Sequence, residues 1–249
     1  MGKSIAIAGK GGVGKSTISA LLIHSLCDLK KTPVLAIDAD PDANLATLLR
    51  VNQIKSIGHL KEEMLKKIKE FPAGMTKANY MQAGLHQIIT EDNDFDLVTM
   101  GRAEGPSCYC YLNSLVRKFY DDLSPSYQWT VIDNEAGLEH ISRMTTKNID
   151  FLMIVVNSNP LSIDSAKNIY QLTQELNNRI KKLYVITNNV PEMLLSDVKK
   201  RIRDINIEII GNLPPDNLLE TVIFKGKPFY TLEDSPAIKN IKEIVKKII

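Results

Sequence analysis

The sequence predicts a doubly wound α/β fold, in which a mainly parallel sheet carries helices on both faces. Short apolar runs of the kind that form buried parallel strands alternate along the chain with longer segments of helical period. A glycine-rich loop lies directly between the first strand and the first helix. Because consecutive strands of such alternating chains join one sheet, we expect strands on both sides of the first one.

Length and composition favour a single domain over residues 1–249. The chain has 249 residues, of which 44% are hydrophobic and 24% charged, so it can bury one sizeable core. The formal net charge of +2 gives no strong basic field, and we therefore expect no nucleic-acid partner. Three cysteines, no cleavable leader and no apolar run near ~18 residues favour a cytoplasmic, reducing compartment.

The glycine-rich loop has the spacing of a phosphate-binding loop. It follows the apolar run 5–8 and precedes the apolar-periodic run 18–26, and the sequence alone leaves open that it only turns the chain. Glycines let successive N–H groups point at anionic oxygens, beside the positive end of a helix. The predicted nucleotide-binding residues are Gly11, Gly12, Val13, Gly14, Lys15, Ser16 and Thr17. Lys15 would reach the β- and γ-phosphates of ATP, Ser16 would bind Mg²⁺, and Thr17 would contact the α-phosphate.

A second lysine, Lys10, stands beside the first glycine of this loop. It cannot easily fold back onto phosphates that its own loop encloses, although it could also be an ordinary solvated lysine. The form GKGGVGKST resembles that of the ATPases related to the nitrogenase iron protein, MinD, ParA and the arsenite pump. The resemblance implies a homodimer that sandwiches two nucleotides, with Lys10 acting catalytically on the partner's ATP.

Acidic residues follow the next predicted strand, 34–37. At the carboxyl end of a strand beside a phosphate loop, such residues lie where α/β sheets place their ligands. The segment matches switch I of the same ATPases, which implies that Asp40 activates water, Asp38 lies in the outer Mg²⁺ shell and Asn44 follows the γ-phosphate. Read without the resemblance, the segment is a turn before a helix over 43–49, with Asp42 as its N-cap.

Residues 51–93 carry no assigned chemistry. The segment 55–70 has the pattern of an amphipathic surface helix, and 75–89 predicts a second helix or an irregular insertion. The next strand is expected over 95–100.

Two cysteines, Cys108 and Cys110, form a C-x-C motif after a Gly-Pro pair. Buried structural cysteines are the common alternative, but thiolates at a helix start favour metal binding. Two thiolates leave a soft-metal site incomplete, whereas a symmetric dimer supplies four. With the later segment DNEAGLEH, the motif resembles the CooC and AcsF accessory ATPases. That likeness implies Ni²⁺ delivery to carbon monoxide dehydrogenase or acetyl-CoA synthase; Zn²⁺ suits the same thiolates.

The strand predicted over 129–133 ends in Asp133, which fits a Walker B acid that holds water on Mg²⁺. Switch II follows, where Ala136 and Gly137 would present amides to the γ-phosphate and Gly137 would pivot. Many relatives have Thr-Pro where this chain has Asn134 and Glu135, and the role of Glu135 stays open.

The remaining chain predicts strands over 151–156, 184–189 and 208–213 and a helix over 162–176 with Ser162 as N-cap. The resemblance implies that Asn188 pairs with adenine and that Pro214 and Pro215 frame the base. The last segment, 236–249, has an apolar stripe and several lysines. Such a helix can grip a membrane, but docking on the sheet is the preferred interpretation and a membrane partner is not expected.

Together these observations predict an ATP-hydrolysing dimer that acts as a nickel metallochaperone for a Ni–Fe–S client enzyme. One alternative is a MinD- or ParA-like positioning ATPase that acts on membrane or nucleoid. Another is an electron-transfer ATPase with an iron–sulfur cluster across the dimer. The C-x-C motif disfavours it, since that arrangement takes its ligands from well-separated positions.

Overall fold

The computed structural model describes residues 2–52, 55–102, 117–135, 149–175, 180–232 and 234–249. Four residues selected from the sequence, Cys108, Cys110, Ala136 and Gly137, lie outside these ranges.

A mainly parallel sheet forms the centre of the described chain. Its strands are β1 Lys3–Ala8, β2 Val34–Asp38, β3 Thr90–Glu91, β4 Phe95–Thr99, β5 Trp129–Asp133, β6 Ile149–Val156, β7 Ile180–Asn188 and β8 Glu208–Leu213. Their order is β3-β4-β2-β5-β1-β6-β7-β8, and β3 alone of these pairs antiparallel, with β4. The first strand thus has neighbours on both sides, and the predicted doubly wound sheet is confirmed.

The helices lie on both faces of this sheet. They are α1 Lys15–Asp28, α2 Leu45–Leu49, α3 Ile57–Lys67, α4 Lys77–Gln87, α5 Pro160–Glu175, α6 Glu192–Arg203, α7 Asn217–Phe224 and α8 Pro236–Ile248. Short 3₁₀ turns cover Ile68–Glu70, Ser124–Ser126 and Phe229–Thr231, and residues 117–123 are also helical.

Alternation along β1 shows how the sheet separates two cores. Ile5 and Ile7 pack with residues of α1, α2, α7 and α8, whereas Ala6 and Ala8 pack with residues of α3, α4, α5 and α6. Successive side chains of a strand point to opposite faces, so one apolar run serves both layers.

The segment 51–93 forms α3, α4 and the edge strand β3. The helix predicted over 55–70 is present as α3 and the following 3₁₀ turn, and the region 75–89 contains α4. The two-residue strand β3 was not predicted, because a strand this short shows no periodicity.

The predicted N-cap Ser162 is wrong. The helix α5 begins two residues earlier, at Pro160, and the side chain of Asn159 accepts a hydrogen bond from the Leu161 amide at 3.0 Å. The Ser162 hydroxyl instead donates to the Asn159 carbonyl at 2.7 Å. Proline is favourable in the first helical turn, and this shifts the start of the helix upstream.

The last helix, α8, docks on the molecule as preferred from the sequence. Its apolar stripe, none of it more than 4% exposed, comprises Ile238, Ile241, Ile244, Val245 and Ile248. These residues join the core that contains α1. Among the described residues, no helix combines the length and apolar character needed to cross a membrane.

Candidate functional site

The loop after β1 enters α1 through a left-handed glycine. Gly14 precedes the helix with φ 93° and ψ 28°, and its carbonyl accepts the Ile18 amide at 2.9 Å. A side chain at Gly14 would be strained by this backbone and would also meet the Asn188 amide nitrogen at 2.4 Å. The close approach of loop and Asn188 therefore depends on glycine at this position.

The inner part of the loop is open. A Cβ at Gly11 or Gly12 would have no heavy atom within 4 Å, and both residues are exposed. Lys15, the first residue of α1, is only 7% exposed, with its Nζ 3.5 Å from the Lys10 carbonyl. The loop thus combines exposed glycine backbone, a held lysine and a helix N-terminus, the arrangement that binds phosphate.

Two buried aspartates end neighbouring strands at this edge. Asp38 of β2 and Asp133 of β5 are paired in register, and Ile7 of β1 lies opposite Asp133. Both aspartates are fully buried. The loop after β1 and the two carboxylates therefore occupy the same edge of the sheet, where parallel sheets bind ligands.

The two carboxylates differ in their partners. Asp38 accepts the Leu45 amide at 2.9 Å and the Asp40 amide at 3.2 Å. Burial raises its pKa to about 7, and the nearby charge of Asp133 adds to the rise. Burial raises the pKa of Asp133 to about 6, while the hydroxyls of Ser16 and Ser19 and the charge of Lys15 act in the opposite direction.

A buried carboxylate oxygen of Asp133 at this edge lacks a hydrogen-bond partner within the described residues. Asp133 Oδ1 accepts the Ser19 hydroxyl at 3.1 Å, but Asp133 Oδ2 is buried and accepts no hydrogen bond in the described part of the chain. An unsatisfied buried carboxylate oxygen beside a lysine and a serine fits a hard cation with oxygen ligands. The residues present are therefore suited to Mg²⁺, and the side-chain oxygens of Asp133 and Ser16 would be its ligands.

Asp42 does not cap α2, contrary to the prediction. The helix begins at Leu45, after Asn44, which makes no side-chain capping bond. Its first amide is bound by Asp38, while the exposed Asp42 carboxylate lies 2.6 Å from the Arg102 guanidinium. A buried carboxylate at the end of β2 thus replaces the local cap, and it connects the segment 40–45 directly to the sheet.

The predicted water-activating residue, Asp40, is close to this pair. Its carboxylate accepts the Asp42 amide at 2.9 Å, and its charge contributes to the raised pKa of Asp133. Lys10 is half-buried, and within the described residues its ammonium makes no ion pair or hydrogen bond. Asp40 thus lies close enough to Asp133 for their charges to interact, and Lys10 belongs to the loop itself.

On the other side of the loop, β7 ends in Asn188. Its amide nitrogen donates to the Val13 carbonyl at 2.9 Å. Asn189 is exposed and has φ 53°, and its backbone amide binds the Leu213 carbonyl. The half-buried Pro214 and the exposed Pro215 follow β8 at the same edge, so the predicted base-binding residues are brought near the loop.

The contact of Ser19 with the candidate site was not predicted from the sequence. It lies one helical turn after Lys15 and is fully buried against Asp133. A serine inside an otherwise apolar run of α1 is the signal that could have revealed it, since a buried hydroxyl needs a partner. Among the described residues, no group of three or more histidine, cysteine or acidic side chains is arranged to hold a metal ion.

Comparisons with known proteins agree with this geometry. Residues 4–229 match the model of the CobQ/CobB/MinD/ParA nucleotide binding domain. The chain is 38% identical over 248 residues to an uncharacterized ATP-binding protein of Methanocaldococcus jannaschii, covering 98% of each. It is 31% identical over 252 residues to the carbon monoxide dehydrogenase accessory protein CooC of Rhodospirillum rubrum, covering 95% of this chain and 92% of that protein. The cell division protein MinD of Aquifex aeolicus superimposes with a TM-score of 0.72 at 22% identity, over 99% and 96% of the chains, which shows the shared fold.

Proposed function

Because this chain belongs to the CobQ/CobB/MinD/ParA nucleotide-binding family, we propose that it is an ATP-hydrolysing nickel metallochaperone. In this proposal two copies enclose two ATP molecules, and Ni²⁺ is the cargo delivered to a Ni–Fe–S client enzyme of the carbon monoxide dehydrogenase or acetyl-CoA synthase class. The observation that carries the ATPase part is the buried pair Asp38 and Asp133 beside the open phosphate loop.

Different residues of the chain have different roles in hydrolysis. Lys15 and the loop amides bind and orient the triphosphate, and Asp40 holds the water whose oxygen attacks the γ-phosphorus. Asp133 and Ser16 would hold Mg²⁺, with Asp38 in its outer shell, and the ion would neutralise charge on the phosphates. The products are ADP and phosphate.

Lys10 is assigned to the partner's nucleotide. A lysine that has no bonding partner within the described residues of its own chain is available to a second copy. The positive charge would then meet the phosphates only in the dimer, so that hydrolysis and association are linked.

The metal-binding part rests on sequence and similarity. Cys108 and Cys110 supply two thiolates per chain, and a two-fold axis would bring four together. The 31% identity to CooC over nearly the whole chain supports an accessory role of the same kind. Nickel is the expected cargo, and Zn²⁺ is the competitor that thiolates also bind.

An anaerobic nickel titration tests this proposal. Metal-free protein is titrated with and without Mg-ATP, while thiolate-to-nickel absorbance and native mass are recorded together. The expected result is one Ni²⁺ per dimer, with an affinity that changes with nucleotide. The double substitution of Cys108 and Cys110 by Ala should abolish binding and leave basal ATP hydrolysis in place.

Cys27→Ser is the matched control for that experiment. Cys27 is half-buried at the far end of α1, and burial raises the pKa of its thiol to about 12, so it is a poor metal ligand. Its replacement should leave nickel binding unchanged. Full nickel binding by the double variant, or none by the wild type in any nucleotide state, would contradict the metallochaperone proposal.

A positioning ATPase of the MinD or ParA type is the second candidate, favoured by the structural likeness to MinD. The docked helix α8 does not support it, since the apolar stripe that would face lipid is already buried. Stimulation of hydrolysis by anionic vesicles or by DNA would favour this candidate over the metallochaperone.

A further inference from the structure

Arg50 lies where α2 ends, and its backbone turns there. The residue has φ 61° and ψ 35°, and the amides of Arg50 and Val51 bond back to carbonyls of the helix. A left-handed residue at this position is uncommon for a side chain other than glycine or asparagine. The turn ends the five-residue helix that begins immediately after the predicted switch I segment.

The guanidinium of Arg50 binds a distant part of the chain. Its Nη2 donates to the Ile223 carbonyl at 3.1 Å and its Nε to the Lys227 carbonyl at 3.4 Å. A Cβ placed at Gly226 would lie 3.6 Å from Arg50 Nη1, so the guanidinium group packs against the turn at Gly226. The carbonyl groups at the end of α7 carry partial negative charge, which favours a cation there.

The segment reached by Arg50 begins at the predicted base-binding loop. Asp216 follows Pro214 and Pro215 and caps α7 by accepting the Leu218 and Leu219 amides at 3.0 Å each. The helix is eight residues long, or about 12 Å. The helix α7 therefore joins the proline loop directly to the carbonyl groups that Arg50 binds.

The other end of α2 is anchored to the phosphate side. The Asp38 carboxylate binds the first amide of α2, and its second oxygen binds the Asp40 amide. In the described chain, the hydrogen bonds between the end of α2 and the segment after Pro214 are the two of Arg50. An open cleft of about 400 Å³, lined in part by Leu48, Leu49 and Phe229, adjoins Arg50 on this side of α2.

From these contacts we infer that Arg50 is a positioning residue that couples occupation of the base site at Pro214 and Pro215 to the position of switch I. This inference rests on the proposed ATP binding and adds to it a second link between base and γ-phosphate. With the link intact, a nucleotide with a base orders α2 more strongly than a triphosphate alone. A residue that only fastens α7 to the body would stabilise α2 equally in every state.

Hydrogen exchange over residues 40–51 separates these two roles. The wild type and Arg50→Ala are compared with saturating Mg-adenylyl-imidodiphosphate and with saturating Mg-tripolyphosphate, which lacks the base; calorimetry establishes saturation. In the wild type we expect the nucleotide to slow exchange about 10-fold more than tripolyphosphate. In Arg50→Ala this difference should fall below about 2-fold, while tripolyphosphate protection stays as in the wild type.

Arg203→Ala is the matched control, because Arg203 is an exposed arginine in the last turn of another helix, α6. It should keep the full base-dependent difference. Arg50→Lys retains the charge but not the planar fork, so we expect an intermediate difference. If Arg50→Ala does not fold, a wild-type difference in Arg50→Lys overturns the inference, and a reduced one supports it.

The remaining outcomes distinguish a failure of the coupling from a failure of ATP binding. Equal protection by nucleotide and tripolyphosphate in the wild type, or an unchanged difference in Arg50→Ala, overturns the coupling and leaves ATP binding in place. Absence of nucleotide binding to the wild type in calorimetry overturns both the coupling and the proposed ATPase.

Discussion

The two sides of the candidate nucleotide site differ in how completely the chain satisfies its own polar groups. On the phosphate side, Asp38 and Asp133 are fully buried and Asp133 Oδ2 has no hydrogen-bond donor within the described residues. On the base side, the Asp216 carboxylate accepts the Leu218 and Leu219 amides through one oxygen, and the Ser235 hydroxyl and Ala237 amide through the other. The phosphate side therefore has a carboxylate oxygen without a hydrogen bond from the described residues, whereas both carboxylate oxygens of Asp216 accept hydrogen bonds from the protein.

The same contrast is visible in the pKa values. Burial raises the pKa of Asp38 to about 7 and of Asp133 to about 6. Burial acts in the same direction on Asp216, but the bonds from Ser235 and from three amides outweigh it and hold the pKa below its usual value. We conclude that burial leaves the phosphate-side carboxylates with raised pKa values, which a bound cation would lower, whereas the Asp216 carboxylate is already stabilised by its own hydrogen bonds.

The largest expected effect is on hydrolysis, from Asp133→Asn. The amide keeps an oxygen for Ser19 but provides no charge for Mg²⁺, so phosphate release should fall about 100-fold or more. The melting temperature without nucleotide should not fall, because a buried charge is removed. Asp204→Asn, an exposed aspartate after α6, serves as control. A marked loss of stability in Asp133→Asn would show that the carboxylate is a structural partner after all.

Asp216→Ala should mainly affect stability. It removes the N-cap of α7 and leaves the Ser235 hydroxyl and Ala237 amide without their acceptor, which should cost about 3 kcal/mol in urea unfolding. Asp216→Asn, which keeps oxygen on one side, should cost about 1 kcal/mol. A small loss of unfolding free energy in both variants would mean that the hydrogen bonds of Asp216 contribute little to the stability of the base side.

The opposite pKa shifts predict opposite pH dependences. Asp38 and Asp133 have raised pKa values, so without Mg²⁺ their contribution to stability is complete below about pH 4 and is lost as pH rises through about 6 to 7. Asp216 has a lowered pKa, so its contribution is present above about pH 4 and is lost as pH falls further.

Urea unfolding of metal-free protein between pH 4 and 7 measures this difference. Relative to the wild type, Asp133→Asn should gain on the order of 2 kcal/mol of stability as pH rises across that range. Excess Mg²⁺ should reduce the gain. A difference between the two proteins that does not change with pH would contradict the raised pKa of Asp133.

Much of the fold follows from the sequence because its cause is local. The strand β5 was predicted at its observed bounds, since a short run of aromatic and β-branched residues that ends in aspartate is a clear strand signal. The stripe of α8 was equally informative, because a 3.6-residue period fixes which face is buried.

The errors have non-local causes. Asp42 was predicted to cap α2 from its place before the helix, yet Asp38 at the end of a buried strand holds the first amide. No local pattern shows that a residue seven positions earlier reaches that amide. Likewise, the bond of Ser19 to Asp133 joins positions 114 residues apart, and the contact of Arg50 with Ile223 spans 173.

The smallest expected effect is that of replacing Asn188, which lies between the phosphate side and the base side. Its amide nitrogen must face the Val13 carbonyl, which can only accept, and the orientation of the side chain is therefore fixed. The side-chain oxygen is then left to accept a hydrogen bond, which suits the exocyclic amino group of adenine and opposes the carbonyl of guanine. Asn188→Ala should accordingly reduce the preference for ATP over GTP about 10-fold in competition binding.

Asn189→Gly is the control for this measurement, because glycine accepts the positive φ of that position and the exposed side chain is simply removed. It should leave nucleotide preference unchanged. If Asn189→Gly alone lowered the preference for ATP, the base would be recognised by the exposed asparagine. The bond from Asn188 to Val13 would then serve only to hold the phosphate loop against β7, and the two sides would be joined by structure rather than by the ligand.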